Sequence, residues 1–326
     1  MKNRSLSLCG IALLYLFFSV SLVSCQKDPA VPADQVTSPV EEQSTVLDPG
    51  SAQDEISGTT TDDLSGTNPE ELSASTATNT SVSALSTYVR KNLRFTYTSE
   101  PTYSLTSLQA YSSTAWCSLA KYASYSISRS STYKRFGSYS TRYELRKTDG
   151  DVAGSKRAET LRFSKDETSP YVERWYGVSY YLPSDYVYDA APEIITQWHT
   201  TSGGNPPLAV YTQYGQWRIV QFGNIATSLG TYEKGKWTDF VFHVKWNYGT
   251  GGLIEVWKNG VKVCTKTGKN IYSGLTYGAY MRTGIYKWPW KSSSYNSSTT
   301  KRIMYVDDVR IGNSAATYND VAPGAY

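Results

Sequence analysis

Histidine is nearly missing from this chain of 326 residues: there are two, His199 and His243, so any mechanism that needs an imidazole has two candidates. Cysteine is scarce at four, and no CxxC, HExxH or cluster with zinc-ligand spacing occurs, so no metal centre is expected. No helix-turn-helix, zinc-finger or RNP pattern is present, which leaves nucleic acid without a recognisable reader. Helical periodicity is weak, with its best short candidate around Leu105 to Tyr125, and no repeat of fixed period suggests a propeller or β-helix. Between Gln26 and Ser86 there is no aromatic residue at all.

The chain starts MKNR and continues with an apolar run from Cys9 to Val23, then LVSC ending at Cys25. A charged start, a hydrophobic stretch short for a bilayer and small residues before a cysteine describe a cleaved lipoprotein signal. Residues 1–24 are therefore expected to be removed and Cys25 to carry the lipid, whose several acyl chains make membrane residence stable. Gln26 is not the aspartate that retains lipoproteins at the inner membrane, so the expected location is the outer membrane of a Gram-negative bacterium, facing the cell surface or the periplasm. Residues 25–86, rich in Ser, Thr, Pro, Asp and Glu, bury too little to offset their ordering entropy and read as a flexible acidic tether.

Charge divides at that boundary. Residues 26–86 carry eleven acids against one Lys, whereas residues 87–326 carry 29 Lys and Arg against 17 Asp and Glu, a net +12 concealed by the overall +4. Such a basic domain suits a polyanion. Of the cysteines, Cys117 and Cys264 remain after export, and pairing between them stays open.

About 240 residues of uniform composition suit one large β-sandwich. Thr238 to Trp246 alternates Phe240, Phe242, Val244 and Trp246 against Val241, His243 and Lys245, a half-buried strand. Leu253 to Cys264 holds Asn259-Gly260 between β-rich arms, the signature of a type I′ hairpin. RYELR (Arg142 to Arg146), ERWYGVSYYL (Glu173 to Leu182), Leu208 to Phe222 and RIMYVDDVRI (Arg302 to Ile311) read the same way. Most of the 28 tyrosines and nine tryptophans are expected to be ordinary strand residues. His243, between large apolar neighbours in a regular strand, is expected to be structural.

Two short patterns stand apart. In QWH, Gln197 and His199 point to one side of a strand; in YMRTGIY, Tyr280, Arg282 and Tyr286 share a side, with Gly284 leaving it open between them. An amide, an imidazole, a cation and phenols are what is needed to take a proton next to a carboxylate. Upstream lies Arg157-Ala158-Glu159, whose arginine is a candidate helper cation or half of a surface pair with Glu159. No E-x-D-x-E or E-x-D-x-x-E run is present to supply the paired carboxylates of a retaining glycosidase.

A glutamine, one residue, a histidine and, far downstream, a strand of the form Tyr-x-Lys-x-Gly-x-Tyr resemble the β-jelly-roll polysaccharide lyases, namely alginate lyases of that fold, glucuronan lyases and heparin lyase I. The run from about Arg135 to Gly312, closing on VDDVRIG, is most similar to the glucuronan lyase and heparin lyase I branch. Arg282 stands where those families carry lysine, and RAETLR is one residue longer than the compact alginate-lyase pattern. The resemblance implies an all-β, concanavalin A-like jelly-roll sandwich of two antiparallel sheets over residues 87–326. It implies β-elimination on an anionic, uronate-containing polysaccharide, with Gln197 and Arg157 neutralising the carboxylate and His199 and Tyr286 sharing the roles of base and acid. Tyr286 protonates the leaving oxygen and, for a syn geometry, is also the base, so which of the two takes the proton depends on the sugar. Tyr280, Arg282, Arg142, Arg146, Lys245 and Trp288 are the further candidates for holding substrate. Relatives sometimes hold a structural calcium, for which Asp307 and Asp308 are the acids here; adjacent strand residues face opposite ways and make a poor bidentate pair. No cofactor is required and a monomer is expected, touching the membrane through its lipid alone. The alternative is a non-catalytic carbohydrate-binding lipoprotein, which would keep fold, charge and aromatics with no need for both motifs.

Two outcomes follow. A chain starting at Thr87 is expected to match the full-length protein in specific activity, measured beside a circular dichroism spectrum that reports its β content. Polymer affinity of the basic domain is expected to fall steeply between low and physiological ionic strength, as titrations at several salt concentrations would show.

Overall fold

Alternating apolar residues set the strands, and glycine or asparagine at positive φ turns them. The computed structural model describes residues 92–100, 118–162 and 170–324; the expected signal, Cys25, the tether and Cys117 lie outside the described residues. Among the described residues the chain runs through β1 (Leu93–Tyr97), β2 (Ser118–Ala120), β3 (Ile127–Ser130), β4 (Ser140–Arg146), β5 (Arg157–Arg162), β6 (Glu173–Leu182), β7 (Glu193–His199) and β8 (Leu208–Gln213). It continues through β9 (Gln216–Gln221), β10 (Ile225–Thr231), β11 (Lys236–Lys245), β12 (Leu253–Lys258), β13 (Val261–Thr267), β14 (Tyr280–Tyr286), β15 (Lys301–Gly312) and the short helix α1 (Tyr318–Val321). No helix among these residues is long and apolar enough to cross a membrane. Within the stretch where helical periodicity was strongest, the described part holds β2 and a 3-10 turn at Ser124–Ser126.

Two antiparallel sheets face each other. One has the order β13-β12-β11-β6-β15-β4-β3, with β1 continuing alongside β15 beyond the end of β4; the other has the order β10-β9-β8-β7-β14-β5-β2. The expected hairpin joins β12 to β13, with Asn259 and Gly260 at φ 49° and 85°. Tyr214 and Gly215, at 54° and 75°, make a second two-residue turn between β8 and β9.

The core between the sheets is aromatic. Trp198 and Trp217 meet Tyr180, Phe240 and Phe242, all fully buried. The buried hydroxyls of Tyr143, Thr160, Tyr180, Thr196 and Thr283 are paired, which avoids a desolvation penalty, whereas the indole N–H groups of Trp198 and Trp217 have no hydrogen-bond partner among the described residues. The Tyr180 hydroxyl donates to Thr196 at 2.7 Å, Thr196 shares a hydrogen bond with Thr283 at 2.7 Å, and Tyr143 shares one with Thr160 at 2.8 Å. Burial pushes the Tyr143 and Tyr180 phenols up, so they stay neutral in these bonds.

Asp307 and Asp308 differ from the alternation rule. Asp308 adopts φ 51° at a bulge where the β15 to β6 register slips, and the two carboxylates lie on the same outer side of the sheet. Val306 and Val309 both face the core, which leaves the two residues between them outside it. Asp308 takes two bonds from Arg310, at 2.9 and 3.0 Å, and one from the Gly324 amide at 2.7 Å. Asp307 accepts from the backbone amides of Arg135, Phe136 and Asp308 at 2.7–3.0 Å. Both carboxylates are thus engaged by protein donors. Cys264 is half-buried on β13, and burial raises its thiol pKa.

Burial outweighs those three amides and pushes the Asp307 carboxyl up to about 8. A group whose pKa is raised on folding contributes stability that is full below its unfolded value and is lost as pH rises through the folded one. The contribution of Asp307 to thermal stability is therefore expected to decline between about pH 4 and pH 8. Asp307→Asn should flatten that decline, as paired melting curves across this range would show.

Candidate active site

Three neighbouring strands of the seven-stranded sheet carry the site: β7, β14 and β5. On β14, Met281 and Ile285 enter the core while Thr283 bonds to Thr196, so Tyr280, Arg282, Gly284 and Tyr286 face outward. On β5, Ala158 and Thr160 point inward, leaving Arg157, Glu159 and Leu161 outside. On β7 the pairing with β8 slips beside Ile195, so that Ile195 and Thr196 both face the core while Ile194, Gln197 and His199 face out. Gln197, His199, Tyr280, Arg282, Tyr286 and Arg157 therefore share one face.

Register decides who meets whom. Tyr280 lies opposite His199, Arg282 opposite Gln197, and Tyr286 opposite Ile194 on β7 and Arg157 on β5. The His199 and Tyr280 rings are 6.0 Å apart, and Tyr280 accepts a bond from Arg282 at 3.0 Å. Tyr286 sits at the other end, its ring 4.2 Å below the Arg157 guanidinium and 5.6 Å from Trp288. Five residues of β7 separate those ends, about 16 Å at the usual rise. His199 Nδ1 is 2.7 Å from the Thr200 carbonyl oxygen. A carbonyl only accepts, so Nδ1 carries the proton and Nε2 is the basic nitrogen.

The centre of the face holds a residue that the sequence pattern did not promote. Glu159, 1% exposed, accepts from Gln197 Nε2 at 2.5 Å and from Arg157 at 3.3 Å, with Arg282 3.7 Å away. The Arg157–Glu159 pair is accordingly buried and not the surface pair considered from sequence. Its one legible signal was parity: in Arg-Ala-Glu the acid faces the same way as the arginine. Gly284, with φ 136°, lies opposite Glu159, and a Cβ there would come within 2.2 Å of the Ala158 carbonyl. The extra residue in RAETLR turns Arg162 to the inner side, over the Phe95 ring at 5.2 Å, so Arg157 is the arginine of that strand on this face.

Trp288 also reaches this face, where Tyr211 of β8 lies 5.5 Å from it. Behind Tyr286, Lys287 is fully buried, 3.0 Å from Asp189 and 3.4 Å from Glu193, and Glu193 also pairs with Arg302 at 2.7 Å. Burial by itself would raise the Glu193 carboxyl, but Arg302 and Lys287 hold it below the ordinary range. This buried cluster fixes the points where β7 begins and β14 ends.

Arg142, Arg146 and Lys245 are not brought to the site. Tyr143 and Leu145 take the core side of β4, which sends Arg142 and Arg146 to the outside of the eight-stranded sheet, where both pair with Glu144. Lys245 ends β11 on the same sheet, 3.4 Å from Glu173. His243 is there too, between Glu173 and Glu255 at 2.7 Å each and stacked on Trp175 at 4.0 Å, a structural setting as expected.

The family model described as polysaccharide lyase matches residues 103–310. The chain belongs to the polysaccharide lyase family. This lyase shares its fold with the crystal structure of endo-β-1,4-glucuronan lyase from the fungus Trichoderma reesei, at 19% identity and a TM-score of 0.52, over 65% of this chain and 95% of that one. An alginate lyase from polysaccharide lyase family 7 aligns at 12% identity and a TM-score of 0.41, over 54% of this chain and 78% of that one. A search of curated proteins finds no significant match. The two-sheet jelly-roll sandwich and the lyase assignment thus agree with the expectation from sequence.

Proposed function

We propose that this polysaccharide lyase cleaves an anionic, uronate-containing polymer by β-elimination, and that it does so as a lipoprotein tethered to the outer membrane through Cys25. The observation that carries the reading is the convergence of Gln197, Arg157 and Arg282 between two phenols and an imidazole on one sheet face. In β-elimination the proton on carbon-5 leaves, a carbon–carbon double bond forms between carbons 4 and 5, and the glycosidic oxygen on carbon-4 departs with a proton. The carboxylate beside carbon-5 opposes the first of these events. Gln197 and Arg157 neutralise it and stabilise the charge that develops, the electrostatic share of catalysis.

His199, with its proton on Nδ1, takes the carbon-5 proton through Nε2, and Tyr286 protonates the leaving oxygen. The carbon-5 proton and the carbon-4 oxygen adjoin, so His199 and Tyr286 must both reach inward to one sugar from strand positions about 16 Å apart, with Arg157 over the Tyr286 ring. Tyr280 occupies the position beside His199 and is the phenol to compare. Trp288 and Tyr211 supply an apolar surface for the next sugar beyond Tyr286. The basic charge of the domain favours accumulation of polymer at the surface.

A panel of glucuronan, heparan sulfate, alginate and mixed uronans, followed by ultraviolet absorbance of the new double bond, tests the activity directly. On the best polymer, Tyr286→Phe keeps ring and packing and should lower kcat by about 10² or more with little change in melting temperature. His199→Ala should be comparably damaging, and the double variant should lose much less than the product of the two effects. Tyr280→Phe, made in parallel, is the control: if it abolishes turnover while Tyr286→Phe retains it, the acid is the tyrosine beside His199.

A further inference from the structure

We infer that Glu159 is the positioning residue of this site, a buried carboxylate that orients the groups which receive the substrate's own carboxylate. The inference rests on the lyase reading above and adds to it a residue with no direct part in the chemistry. Its basis is a contact made across a strand. Glu159 on β5 and Gln197 on β7 are separated by β14, yet Glu159 Oε1 lies 2.5 Å from Gln197 Nε2. Two strand spacings, about 9.6 Å, are bridged because the side chains lean toward each other over β14. Gly284, directly opposite Glu159, offers no side chain to obstruct them.

A carboxylate offers acceptors alone, whereas an amide can turn either its oxygen or its nitrogen outward. With Glu159 beside it, Gln197 keeps its NH₂ end toward the centre of the cluster, one N–H held by Glu159 and the second available as a donor. The reversed amide would set its oxygen against the Glu159 carboxylate, a repulsive contact of two acceptors, and turn its NH₂ away from the cluster. The same carboxylate gathers the two cations: Arg157 reaches Oε2 at 3.3 Å and Arg282 lies 3.7 Å from that oxygen. All four side chains are at least nine-tenths buried, so these contacts are little screened by water. One acid thereby sets the positions of three donors, and donors aimed before substrate arrives need no reorganisation during the reaction.

Two substitutions separate position from charge. Glu159→Gln keeps the volume and one acceptor but removes the charge that gathers the arginines; Glu159→Asp keeps the charge but is too short by one methylene to span β14. Both are expected to lower kcat about ten- to a hundred-fold, the range for outer-shell partners, with KM changed no more than about three-fold. Circular dichroism melts on the same samples show what fraction is folded at the assay temperature, and rates are expressed per folded molecule. Wild-type kcat per folded molecule in Glu159→Gln, or full activity in Glu159→Asp, would overturn the inference while leaving the lyase reading intact. A wild-type protein that cleaves none of the uronate polymers would overturn the lyase reading, and this inference with it.

Discussion

The threonine and tyrosine hydroxyls beneath the site hold the rest of the arrangement in place. Thr160, Thr196 and Thr283 occupy the inner faces of β5, β7 and β14, and Tyr143 and Tyr180 reach them from the opposite sheet. Thr160 and Thr283 also donate to backbone carbonyls, of Thr283 and Ile195, at 3.3 Å each. A slip of one residue between these strands would turn Gln197 or Arg282 into the core and leave several buried hydroxyls without partners. Apolar packing alone tolerates such slips far better, because one aliphatic contact resembles another. The hydrogen bonds make this register the one in which these hydroxyls are satisfied.

Charge is distributed on a different principle on each sheet. Outside the eight-stranded sheet, cations are matched by acids of the same chain: Arg135 with Asp239, Arg142 and Arg146 with Glu144, Arg310 with Asp308 and Lys262 with Glu255. These pairs fasten loops and strands to one another. The net +12 of the domain acts at long range whichever side it sits on, but contact with a ligand depends on the few groups placed on the active face. Counting cations in a sequence therefore measures attraction and not recognition.

Legibility followed the range of the interaction concerned. The long strands β6, β11 and β15 and the Asn259-Gly260 turn are written in local alternation and turn chemistry, and they could be read directly. β10 could not, since its mostly exposed, polar residues show no buried side to alternate with. The facing of Gln197, His199, Tyr280, Arg282 and Tyr286 follows from parity within a strand, a local property. Which tyrosine stands beside the imidazole does not, because register between strands distant in sequence is set elsewhere, in part by the hydroxyls under the sheet. Glu159 was hidden for the same reason: its burial is produced by neighbours on two other strands. Asp307 and Asp308 defeated parity itself, since a bulge at Asp308 inserts one residue and leaves both acids on the outer side.

The single extra residue of RAETLR gives this lyase an unusual sensitivity to chain length. Leu161 holds the outward place and Arg162 the inner edge of the core beside Phe95. Deleting either Thr160 or Leu161 would exchange those roles, carrying a guanidinium from the edge of the core onto the active face. An insertion or deletion at this point therefore exchanges the outward and inward residues in one genetic event, where the same exchange by point substitution would need two.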